Sequence, residues 1–131
     1  MKQETIVRLK IISKDHTPQN ISETVGLQCD ESWHRGETRK HTIIIEDDNG
    51  WVIHSGLARA ASLDEHLDAL WKKVEPVKAQ IHRLSSRDTV EWSCVVYSTA
   101  MPALDFGPAI ISRLAELGAG LDIDLYVLPE S

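Results

Sequence analysis

Residues 109–128 constrain the fold most, because a helix pattern, a glycine stop and a strand pattern follow one another there almost without a spacer. Ile110, Ile111, Leu114 and Leu117 recur at helical spacing, and Gly118 stands where a left-handed helix end favours a residue without a Cβ. After Ala119-Gly120, the run Leu121-Asp122-Ile123-Asp124-Leu125-Tyr126-Val127 alternates with a period of two, as a half-buried strand does. A helix closing onto a strand commits the chain to a sheet with helices laid against it. Nothing in the stretch looks catalytic.

The same two periods organise the rest of the chain. Thr5 to Ile12 reads as a strand, with Val7, Leu9 and Ile11 on one face and Arg8 and Lys10 on the other. Thr17 and Pro18 open a short helix carrying Ile21 and Val25, and Gly26 ends it, with Leu27 folding back as its closing contact. Cys29 to His41 has no period and many charges, and is read as an extended surface segment with one turn at Gly36. Thr42–Glu46 and Trp51–Ser55 read as a hairpin around Asp47-Asp48-Asn49-Gly50. A four-residue loop would pair Ile44 with Ile53 and Ile45 with Val52.

Ser62 and Glu65 form a capping box at the start of a long helix, whose apolar stripe runs through Leu63, Leu67, Leu70, Val74, Val77, Ile81 and Leu84. Pro76 requires a kink or restart near Lys72 to Glu75. Thr89 to Thr99 is another strand, with Val90, Trp92, Cys94 and Val96 sharing a face. The order matches a ferredoxin-like β-α-β-β-α-β core extended by one helix and one C-terminal strand. The expected fold is thus an α+β two-layer sandwich with a mostly antiparallel sheet. Basic Arg8 and Lys10 on the first strand and acidic Asp122 and Asp124 on the last predict that these strands lie side by side.

Length and charge narrow the function classes. A chain of 131 residues fits a single domain, 1–131, able to bury a self-supporting core. Its net charge of −6, with no basic stripe, argues against nucleic acid as a partner. Two cysteines are too few for a disulfide framework, Met1-Lys2-Gln3-Glu4 leads into a strand rather than an apolar leader, and no apolar run suits a membrane span. The expectation is a cytoplasmic protein with reduced thiols.

Candidate chemistry is sparse. Cys29, His34 and His41 are too loosely spaced, with too few thiols, for a structural zinc site, so no metal and no cofactor are expected. Phosphate-binding glycine loops, a nucleophile elbow and zinc-protease motifs are absent. His66 is expected at the edge of a packing face, His54 on an outward strand face and His82 near a helix C-terminus. Trp71 and Trp92 fall on core faces, whereas Trp33, in the aperiodic segment, and Trp51, just after a turn, are candidates for partial exposure. Interfaces favour tryptophan and arginine as anchors, so Trp33, His34, Arg35, Glu37 and Trp51 form the candidate binding set.

Several segments resemble a bacterial family catalogued as domain of unknown function 4279. They are Asp15 through Leu27, Arg35-Gly36-Glu37, Trp51 through Ser55, Leu63 through Leu70 with Glu75-Pro76, and above all Leu114-Ala115-Glu116-Leu117-Gly118 with Leu121 through Tyr126. The resemblance covers nearly the whole chain, implies a small standalone α+β domain, and brings no activity or catalytic residue. The first functional expectation is a non-catalytic binding or protein-interaction module, one that could neutralise a partner protein. The alternative is a small hydrolase using His34 and Glu37 on an open loop, favoured only if a formed cleft holds both. A third is a structural homodimer through a sheet edge or face.

Overall fold

The computed structural model describes residues 3–129. Strand β1 (Glu4–Ser13) alternates buried and outward residues along its length, as the Val7-Leu9-Ile11 spacing requires. The Thr17 hydroxyl accepts from the Asn20 amide at 3.2 Å to open helix α1 (Pro18–Val25), and Gly26 closes it at φ 86°. Two strands follow, β2 (Glu31–Trp33) and β3 (Asn49–His54). Helix α2 (Leu63–Val74) begins on the reciprocal Ser62–Glu65 cap, whose hydrogen bonds from the Ser62 backbone and hydroxyl hold the Glu65 carboxyl below its usual range. Pro76 breaks the ladder: Glu75–Val77 form one 3-10 turn before α3 (Lys78–Leu84). Strand β4 (Thr89–Ser98), helix α4 (Pro108–Leu117), Gly118 at φ 66° and strand β5 (Gly120–Val127) complete the chain.

The fold is α+β, with one five-stranded mixed sheet in the order β2-β3-β1-β4-β5. β1 is antiparallel to β3 and β4, β2 is antiparallel to β3, and β5 is parallel to β4. Val7, Leu9 and Ile11 of β1, Trp51 of β3, and Trp92 and Cys94 of β4 meet Ile21, Val25, Leu67, Leu70, Val74, Ile81, Leu114 and Leu117 of the helices in one core. The helices therefore cover one face of the sheet. The opposite, open face carries Arg8, Lys10, Val52, His54, Glu91, Asp122 and Asp124 in register. Among the described residues no helix is long and apolar enough to cross a membrane.

Three expectations are corrected. The hairpin of Thr42–Glu46 with Trp51–Ser55 does not form: the edge partner of β3 is β2, with Glu31 opposite Val52 and Trp33 opposite Gly50. Asn49 and Gly50, expected as a turn, are buried strand residues, and residues 42–46 contribute only the single bridge Thr38–Ile45. Nor do the first and last strands adjoin. β4 separates them, because the crossover through α4 sets β5 parallel to β4, and connectivity outweighs a charge pairing of a few tenths of a kcal/mol. Lys10 instead has Val52 and Glu91 as cross-strand neighbours. Finally, His66 is buried rather than at a packing edge, with 1% of its surface exposed.

Candidate functional site

An arm built from residues 34–48 leaves the short edge strand β2 and returns into β3. It is anchored at its root by Asn49, whose side-chain carbonyl accepts from the Arg35 amide at 2.9 Å and whose amide reaches the Lys14 carbonyl at 3.4 Å. The chain turns at Gly36, where φ is 91°, a left-handed value that favours glycine. From there the two limbs are tied by backbone bonds from Gly36 to Glu46 (2.9 Å), Glu46 to Glu37 (2.8 Å) and Arg39 to Ile44 (2.7 Å). Arg39 Nε also donates to Glu46 at 2.8 Å. The tip is pinned by the Thr42 hydroxyl, which donates to the Arg39 carbonyl at 2.8 Å and accepts from the Ile44 amide at 3.1 Å.

This internally bonded arm presents three consecutive isoleucines to solvent: Ile43, Ile44 and Ile45 are 95%, 49% and 61% exposed. A surface loop normally exposes polar residues, so an apolar run at its tip is an anomaly, one shared on this surface by the exposed Tyr126, Val127 and Leu128 at the end of β5. Between the arm and the open sheet face lies a trough of about 740 Å³, floored by Val52 and Trp33 and edged by Arg8, Lys10, Arg39, Lys40, Glu31 and Glu46. Among the described residues Lys10 and Lys40 make no ion pair, whereas Arg39 is committed to Glu46.

The predicted binding residues separate into two groups. Trp33 is half-buried at the trough, with its indole against Gly50. His34 and Arg35 lie beside it at the arm's root, and Glu37 lines the trough. His34 Nδ1 is 2.8 Å from Glu37 Oε1 and its Nε2 is 3.2 Å from Gln19 Oε1, which ties the arm to α1. Trp51 leaves the set. It has no exposed surface, and its indole N–H donates to the Ser22 hydroxyl at 2.9 Å under α1, because strand register turns it toward the helices.

The His34–Glu37 pair could move a proton in principle. Both side chains are about half exposed, at 42% and 53%, and His34 lies outside the lining of the trough. Among the described residues no group of three or more His, Cys, Asp or Glu side chains is placed to hold a metal ion. Cys94 is not a poised nucleophile either: burial, with the Asp122 charge adding, pushes its thiol up to about 12.

Sequence reasoning missed a second cavity, of about 470 Å³, bounded by Thr5, Arg8, Glu31, His54, Ser55, Arg59 and His66. Inside it, Ser55 Oγ and His66 Nδ1 are 2.6 Å apart, and Ser55 Oγ also accepts from the Leu57 amide at 3.4 Å. This contact fastens the loop after β3 to α2. Burial lowers the His66 pKa, opposed in part by the Ala58 carbonyl and the Glu65 charge. Period-two patterning places Thr5 and Arg8 on opposite faces, so no linear signal could have joined them.

No curated protein and no solved structure matches the chain. A family model described as a domain of unknown function, DUF4279, matches residues 3–128, and the chain belongs to that family.

Proposed function

We propose that this domain is a non-catalytic module that binds a protein partner through its arm, with Ile43, Ile44 and Ile45 as the apolar contact and Trp33 and Arg35 as anchors at the root. The observation that carries the reading is the isoleucine run held out on a hydrogen-bonded arm. Burying such a run on a partner is favourable by roughly 25 cal/mol per Å² of apolar surface, and an arm already fixed by its own bonds loses little freedom on binding. Neutralisation of the partner's own activity is one use of such a contact.

The same reading takes the sheet as a ferredoxin-like plan with α4 and β5 added. The order β4-β1-β3-β2 with antiparallel neighbours throughout supports it. Free Cys29 and Cys94 support a reducing, cytoplasmic setting. A hydrolase based on His34 and Glu37 takes second place: their 2.8 Å contact favours it, but both groups are open to water.

A photo-crosslinking residue placed at position 43 in cells tests the proposal, with the same probe at exposed Arg87 as the control. A discrete conjugate from position 43 alone is the expected result. No conjugate, or the same conjugates from both positions, contradicts it.

A further inference from the structure

We propose that the second cavity is a binding site for a small oxyanion, a carboxylate or a phosphate group, a function separate from the partner surface on the arm. The cavity exists because β3 stops short. Its pairing with β1 begins at Arg8, and beyond that point, among the described residues, the β1 edge is met only by two bonds, from the Ser55 amide to the Val7 carbonyl (3.1 Å) and from the Thr5 amide to the Arg59 carbonyl (2.8 Å). This notch in the sheet lets residues of both faces reach one space: Thr5 and His66 from the helix side, Arg8, Glu31 and His54 from the open side.

The polar groups there are unusually uncommitted. Four buried side-chain N or O atoms have no hydrogen-bond partner among the described residues, and three of them, Thr5 Oγ1, Arg8 Nε and His66 Nε2, belong to residues that line this cavity, although the Ala58 carbonyl also lies close enough to His66 to raise its pKa. Buried polar atoms ordinarily find partners, so three around one cavity call for an explanation other than chance. Thr5 and His66 are enclosed, each 1% exposed, and the Arg8 side chain is 25% exposed.

Charge selects the ligand. Arg8 reaches Glu31 only at 4.0 Å, because Glu31 Oε2 sits closer to His54 Nε2, at 3.0 Å. Arg59 reaches Glu4 only at 3.9 Å. Two guanidinium groups with loose partners thus face a cavity containing one carboxylate, in a chain whose net charge is −6. A guanidinium offers parallel donors that match the oxygens of a carboxylate or phosphate, and Thr5 of the same lining carries a hydroxyl donor. A metal cation would meet two positive charges and is disfavoured.

Amide NMR titrations with inorganic phosphate and, separately, with succinate test this, at constant ionic strength maintained with chloride. Expected are saturable shifts concentrated at residues 5–8 and 54–59 for at least one of the two anions, and the anion that binds identifies the class. Arg8→Gln and Arg59→Gln should each weaken binding by about tenfold, the loss of one charge-assisted hydrogen bond. Arg59 is largely exposed, so its replacement leaves folding intact and keeps the test valid if Arg8→Gln unfolds. Shifts that never saturate, that scatter over surface lysines and arginines, or that persist unchanged in Arg59→Gln overturn the proposal.

Discussion

The indole of Trp33 fills the space that a side chain on Gly50, its cross-strand partner, would occupy. A glycine within a strand commonly marks such a close approach, and an aromatic ring laid over it restores the contact that the missing Cβ gives up. This contact seats the short strand β2 on β3 and thereby fixes the root of the arm. Gly50→Ala is expected to eject the ring, shift tryptophan emission to the red and cost about 1–3 kcal/mol, the range for overpacking. In the Gly50→Ala/Trp33→Ala double variant the alanine methyl has room, so the two penalties should fall short of additive. Additive losses in denaturant unfolding would show that the ring does not sit there.

His66 predicts a pH dependence of stability. Its folded pKa is lowered by burial, so as pH falls the unfolded chain takes up the proton first. The stabilisation is complete above the ordinary histidine value of about 6.5 and is lost progressively as pH falls from there to the depressed folded value. One proton limits the slope to about 1.4 kcal/mol per pH unit. Chemical denaturation between pH 5 and 8, compared with His66→Gln, checks this: the variant should lack that component of the slope. An identical profile in the variant would assign the slope elsewhere.

The two thiols should differ in reactivity. Cys94 is fully buried, with its pKa pushed up to about 12, whereas Cys29 is partly exposed. Under native conditions iodoacetamide should modify Cys29 alone, and Cys94 should react only after unfolding. Intact-mass analysis of the native protein reads one adduct on this account. Two adducts formed at comparable rates would mean that the β4 face opens readily.

The elements with a strict period were legible in the sequence, and those set by long-range partnership were not. The Val7-Leu9-Ile11 alternation, the Ser62–Glu65 cap, the break at Pro76 and the stop at Gly118 each follow from local chemistry, and each stands where expected. Asn49-Gly50 carries the strongest turn chemistry in the chain, yet lies in a strand, because Trp33 covers Gly50 and Arg35 and Lys14 engage Asn49. A three-residue strand such as Glu31–Trp33 has too little length to show a period. Of the candidate site, Trp33, His34, Arg35 and Glu37 come together at the arm, Trp51 turns inward, and Ile43 to Ile45, assigned to a hairpin, emerge at the tip. The Thr5–Arg8–His66 cavity depends on where β3 stops, which no local pattern states.

If the isoleucine arm carries the partner contact, its loss shows in the affinity for that partner. The partner identified by crosslinking at position 43 would be titrated calorimetrically with the native protein and with the Ile43→Asp/Ile45→Asp double variant. Both residues are exposed, so the variant should unfold at an unchanged temperature. The Kd of the double variant should be weaker by at least about tenfold, equivalent to about 1.4 kcal/mol of lost apolar contact. An unchanged Kd in a folded double variant would contradict it.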